Sequence, residues 1–153
     1  MLKNTDKRSS YETRNRKSFV VDAIVVPTPD LNALIRSQNV INFFISCLED
    51  IGKGTSSRSE GAVITVQCIE AMKRVQDIHN LTLPQQIESI LSEFIMEAER
   101  IKKLLSDETN EALSNPKEFN AFIEAKTYKI RYLSNVLTSE MEALKNNRTT
   151  SRH

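Results

Sequence analysis

From Ile87 onward, apolar residues recur at alternating spacings of four and three: Ile87, Leu91, Phe94, Ala98, Ile101, Leu105 and, past the polar Glu108, Ala112. Only a helix gathers such residues on one face, because a turn takes 3.6 residues. The seam is close to a coiled-coil pattern. A second seam follows through Phe119, Phe122 or Ile123, Lys126, Ile130, Leu133, Leu137, Met141 and Leu144. Between the two, Asn115 is a cap, Pro116 suits the first helical position and Glu118 lies three residues past the cap. The first helix opens on Thr82-Leu83-Pro84-Gln85, which reads as a capping box. Thr82–Asn147 is therefore read as two long helices, and the remaining chain must supply what packs on them.

That remainder is also mainly helical in pattern. Three Gly and four Pro in 153 residues leave too few turns for a many-stranded β fold. Thr28, Pro29 and Asp30 make a helix start. Leu31, Leu34, Ile35, Ile41, Phe44, Ile45, Leu48 and Ile51 then form a stripe, and Gly52 closes it. Gln38 falls on this stripe. A further helix runs from about Glu60 to Asn80, with a seam through Ile64, Cys68, Ala71, Val75 and Ile78. Val63, Val66, Ile69 and Met72 widen that seam to nearly all round, the pattern of a central helix.

The N-terminal segment differs in kind. Residues 1–17 form a basic arm poor in apolar residues and are expected to be disordered. Residues 18–27 are apolar and β-branched, ending in Pro27, and read as an extended segment with no second strand nearby. The helical bundle domain spans 28–147, and 148–153 form a basic tail. Charge follows the same division. The net charge is +1, distributed as +4 over residues 1–18, −6 over 19–144 and +3 over 145–153.

No pattern announces catalysis. Lys53 and the serines after it invite a phosphate-loop reading, but Cys47 stands where the first glycine is needed and Gly54 where Ser or Thr must follow the lysine. His79 has only His153 as a fellow histidine, and Glu-x-x-His is absent. Glu93, Glu97 and Glu99 read as a solvated face. The expectation is a non-enzyme without cofactor or metal. Cys47 and Cys68 fall on apolar stripes, as buried thiols do in a reducing, cytoplasmic compartment. No apolar run is long enough to span a membrane, and no apolar leader is present.

The expected fold is all-α: a four-helix bundle, or stacked helical hairpins, with a long C-terminal hairpin and an extended N-terminal arm. At ~1.5 Å per residue the last two helices reach roughly 45 Å and the first two about 30 Å. About 15 Å of the C-terminal hairpin would then project, unless the polar stretch 107–111 is a break. The expected function is a helical assembly subunit, adaptor-like or chaperone-like, binding a protein partner or itself as a homo-oligomer. Its candidate contact residues are Phe19, Val21, Ile24, Val25, Leu105, Leu113, Phe119 and Phe122. The alternative is an accessory subunit of a nucleoprotein complex. It would grip DNA or RNA through Lys7, Arg8, Arg14, Arg16, Lys17, Arg148 and Arg152, aided by a cluster of Lys102, Lys103, Lys126, Lys129 and Arg131.

Overall fold

A computed structural model describes residues 20–21, 24–25, 31–107 and 115–150, with side chains described over 31–107 and 115–146. The chain forms two units, Met1–Asp30 and Leu31–His153. In the first, β1 (Val20–Val21) pairs antiparallel with β2 (Ile24–Val25), in the register Val20↔Val25 and Val21↔Ile24. The apolar segment thus finds its partner strand within itself. Fold-back lets β-branched residues on either side of Asp22-Ala23 satisfy each other's backbone groups, which a lone strand could not do. The basic arm 1–17 and the predicted start signal at Thr28–Asp30 lie outside the described residues.

The second unit is a bundle of four helices: α1 (Leu31–Lys53), α2 (Arg58–Ile78), α3 (Gln85–Ser106) and α4 (Pro116–Thr150). Each packs on two neighbours, in the cyclic order α1, α2, α3, α4. Polar contacts fix the directions. Arg36 near the start of α1 meets His79 just past the end of α2, Gln76 near the end of α2 meets Glu88 near the start of α3, and Glu93 and then Glu97 along α3 meet Lys129 and then Lys126 backward along α4. Consecutive helices are therefore antiparallel, the up-down-up-down arrangement that short connections favour.

Helix ends follow local chemistry, in places not where the sequence pattern put them. α1 runs past Gly52 to Lys53, and Gly54, at φ +80°, is the residue that turns the chain. Its left-handed backbone lets Thr55 N–H donate to Asp50 O at 2.9 Å, a bond that a β-carbon at this position would strain. α2 starts two residues earlier than expected, on a capping box. The Ser57 side chain accepts from Glu60 N–H, and the Glu60 carboxylate accepts from Ser57 N–H. These bonds, with the backbone donor contributing most, hold the Glu60 carboxyl below its ordinary range. The Thr82 box does not form. Pro84 is the cap of α3, and the Thr82 hydroxyl turns back to donate to His79 O. Asn115 does cap α4, accepting from Lys117 N–H at 2.8 Å.

α3 ends at Ser106 after 22 residues, matching α1 and α2 at roughly 33 Å. The projecting hairpin is therefore cut at the polar stretch, and only α4, with 35 residues, is longer than the rest. Arg58, at the start of α2, secures the cut end. It donates to the carbonyls of Leu104 and Asp107 at 2.8 and 3.1 Å, two acceptors that a helix C-terminus leaves unfilled.

The core takes one stripe from each helix, including Leu34, Ile41, Phe44 and Leu48 from α1, and Ile87, Leu91, Phe94, Ala98 and Ile101 from α3. Phe44 and Phe94 meet edge to face at the centre, with ring centroids 5.6 Å apart. On α2 the buried stripe is Gly61, Thr65, Cys68, Ile69, Met72 and Val75. It is rotated from the predicted seam, so that Ala71 is half-buried and Ile78 is exposed. α2 is thus a corner helix like the others, not a central one. Gly61 explains the rotation. A β-carbon there would overlap Ile51 Cδ1 and sit 3.4 Å from Leu105 Cδ1, so α2 approaches both neighbours at this point. Gly61→Val is expected to cost about 1–3 kcal/mol of stability, read from urea unfolding. Wild-type stability in that variant would contradict the close approach.

Candidate interaction surface

α1 and α2 present a joint outer face with large apolar side chains in solvent. Phe43 is 54% exposed, Val63 58% and Ile78 66%. On α2, Val63, Gln67, Ala71 and Ile78 follow one another at spacings of four, four and seven, which places them along one side of the helix. On α1, Arg36, Phe43 and Asp50 are spaced by seven and share one side likewise. Where the two sides meet, Val40, Phe43, Cys68 and Ala71, with Asn39 and Gln67 at the rim, line an open groove of about 280 Å³.

The groove floor offers no reactive thiol. Burial, with the nearby Asp50 charge, pushes the Cys47 thiol up to about 11, and burial beside Cys47 pushes Cys68 up to about 12. Both are free and protonated at neutral pH, so they act as small apolar groups. At one end of the face, Arg36 Nη2 donates to His79 Nε2 at 3.1 Å.

Of the contact residues expected from the sequence, Leu105 belongs to α3, and Phe119 and Phe122 belong to α4. Leu105 is buried, because α3 turns it into the core beside Gly61. Phe119 and Phe122 are half-buried and already covered by cations of the same bundle. The Arg58 guanidinium lies 5.2 Å from the Phe119 ring centre, and Lys126 Nζ lies 5.5 Å from that of Phe122. Val21, Ile24 and Val25 are in the hairpin, and Phe19 and Leu113 lie outside the described residues. Among the predicted tail contacts, Arg148 falls within α4, while Lys7, Arg8, Arg14, Arg16, Lys17 and Arg152 lie outside the described residues. Phe43 was missed because it precedes Phe44. One of two adjacent phenylalanines on a helix must point away from the other, and the stripe through Ile41 and Leu48 selects Phe44 for the core.

Four of the five residues of the basic cluster on α3 and α4 pair with carboxylates of the same unit, and Lys103 is exposed. Lys102 pairs with Glu99 at 3.0 Å, Lys129 with Glu93 at 2.7 Å, and Arg131 with Glu49. Lys126 reaches Glu97 at 2.5 Å. Glu97 is not on a solvated face; it is 5% exposed. Burial pushes its carboxyl up, but the hydrogen bond and charge of Lys126, then those of Arg100, outweigh burial and leave it below the ordinary value of 4.5. The same pattern of hydrogen bond plus charge lowers Glu99 beside Lys102 and raises Lys129 beside Glu93.

A polar seam also joins α1 to α4. Gln38 Nε2 donates to Ser134 Oγ at 2.7 Å, Ser134 Oγ donates to Asn42 Oδ1 at 3.2 Å, and Thr138 Oγ1 donates to Gln38 Oε1 at 3.2 Å. These polar positions within the α1 stripe are thus matched from α4. Among the described residues no group of three His, Cys, Asp or Glu is placed to hold a metal ion, and no helix is long and apolar enough to cross a membrane.

Comparison with protein-family models, with curated proteins and with solved structures finds no match.

Proposed function

We propose that this chain is a non-catalytic helical interaction subunit that docks a protein partner on the outer α1–α2 face. The observation that supports the reading is Phe43, a large aromatic side chain more than half in solvent beside an apolar groove. An aromatic anchor next to a pocket is the arrangement that dominates binding energy at protein interfaces. Val63 and Ile78 extend the apolar surface along α2. The four helices already cover one another's core stripes, so these residues add nothing to the bundle's interior.

The nucleic-acid alternative finds less support. Of the cluster on α3 and α4, Lys102, Lys126, Lys129 and Arg131 pair with carboxylates of the same unit, and Lys103 is exposed. The two readings separate by salt. Retention of a partner from extract of the producing cells by the tagged full chain is expected to survive about 0.5 M salt, because apolar contacts are not screened. Phe43→Glu is expected to abolish that retention. Binding that disappears at high salt and is indifferent to Phe43→Glu would favour the tails and sink the docking reading.

A further inference from the structure

The α1–α2 face is palindromic. On α1, Arg36 and Asp50 stand seven residues to either side of Phe43. On α2, Val63 and Ile78 stand symmetrically about the midpoint between Glu70 and Ala71. Phe43 and Ala71 line the same groove, so the two midpoints fall at the same level of the bundle. A two-fold axis at that level, lying in the face and perpendicular to the helices, lays α1 on a second α1 and α2 on a second α2, each pair antiparallel. Phe43 then meets Phe43. Arg36 meets Asp50 of the second copy, twice over. Val63 meets Ile78, also twice.

We infer that the occupant of this face is a second copy of the chain, paired about an axis at Phe43. This rests on the docking reading above and names the partner. Charge complementarity carries the choice. Each end of the face has the sign that its symmetry-related end requires: Arg36 at one, Asp50 at the other, both exposed. At the inner positions of α2, Arg74 faces Gln67, while Glu70, half a residue from the axis, meets its own copy, with Arg74 of each helix one turn away. A protein unrelated to this chain would have no reason to find its own complement written symmetrically about one aromatic residue. Isologous pairing requires just that, since each contact occurs twice.

The size is sufficient for a modest dimer. Two helices of this length make a face roughly 30 Å by 20 Å, on the order of 600 Å² per copy, at the lower end of specific interfaces. A dissociation constant of about 1–100 µM follows for such an interface with one aromatic anchor.

Light scattering on the full chain tests the pairing. Wild type at about 100 µM is expected at an average mass between about 1.5 times and twice the chain mass of 17.4 kDa, falling toward one chain on dilution. Arg36→Asp alone places two pairs of like charges across the axis, and so does Asp50→Arg alone. Each single variant is expected to be a monomer at the same concentration, with helical circular dichroism and an unfolding midpoint near that of wild type diluted to the monomer. An equimolar mixture of the two is expected to return to the dimer mass, because every opposed pair in the mixed dimer is again of opposite sign. Three results would overturn the pairing. They are a wild type that is monomeric at about 100 µM, single variants that dimerise as wild type does, and two folded monomeric variants that fail to associate when mixed. The broader docking reading is judged separately. If wild type is monomeric yet Phe43→Glu still strips a partner retained from extract, self-pairing fails and docking stands. If wild type dimerises and Phe43→Glu does not disturb the dimer, the pairing is not on this face.

Discussion

Phe44→Ala is expected to lower the unfolding free energy by about 3–5 kcal/mol, among the largest losses from a single truncation in this bundle. The ring is fully buried and meets Phe94 edge to face, at an interplanar angle of 81°. α1 and α3 are not neighbours in the cyclic order, so this pair joins helices that face each other across the bundle centre. Truncation removes apolar area, empties a ring-sized volume and deprives Phe94 of its aromatic partner. The Leu and Ile side chains of the core come from all four helices, so no movement of one helix closes the gap. Urea unfolding measures the effect. The neighbouring Phe43→Ala is the control and is expected to change stability by less than about 0.5 kcal/mol, as for an exposed position. Equal losses at the two positions would mean that the faces of α1 are wrongly assigned.

Lys126→Ala is expected to cost roughly 2–3 kcal/mol. The side chain joins α4 to a Glu97 carboxylate that is nearly out of water, and removing it leaves that charge with Arg100 alone, itself largely in solvent. Breaking a fully buried ion pair costs about 3–5 kcal/mol, and Lys126, with its side chain 24% exposed, brings the figure down. Replacing both partners, as in Glu97→Leu with Lys126→Met, is expected to restore most of the loss, since no unpaired charge then remains buried. The same pair sets an acid response. The folded carboxyl lies below its ordinary value of 4.5, so its stabilising contribution is fully present above that value and is lost as pH falls through the lower folded value. Between about pH 5 and pH 3, wild type is therefore expected to lose stability more steeply than Glu97→Gln. Parallel curves would show that Glu97 titrates alike in the folded and unfolded chain.

Much of this fold can be read from periodicity. The α3 seam from Ile87 to Leu105 is buried as spaced, and on α4 Ile123, Ile130, Leu133, Leu137 and Met141 are buried as expected. Lys126 interrupts that seam, and the sequence marks it as needing either solvent or a partner. Its partner Glu97 is invisible to spacing, because two turns of α3 offer Glu93, Glu97 and Glu99 alike, and only the packing of α4 selects one. α2 was misread for a related reason. Val63, Ile64 and Val66 are the apolar residues of its first turns, yet Gly61 and Thr65 face the core. Small size decides where two helices come closest, and hydropathy does not report it. Thr65 is tolerated there because its hydroxyl donates to Gly61 O at 2.6 Å. The Ser57–Glu60 capping box starts α2 two residues before the start at about Glu60 expected from the seam. The outer face was obscured because an exposed apolar residue and a core one are the same letter. Phe43 becomes informative only once Phe44 is placed.

The division of α1 into a structural side and a binding side is tested most directly on Phe43→Glu, by measuring its unfolding midpoint and its association in parallel. The expected result is a midpoint within about 2 °C of wild type, both read on protein dilute enough to be monomeric, together with loss of association at higher concentration, since the side chain touches solvent in the free bundle. A variant that unfolds several degrees lower, or one that associates as wild type does, would contradict it.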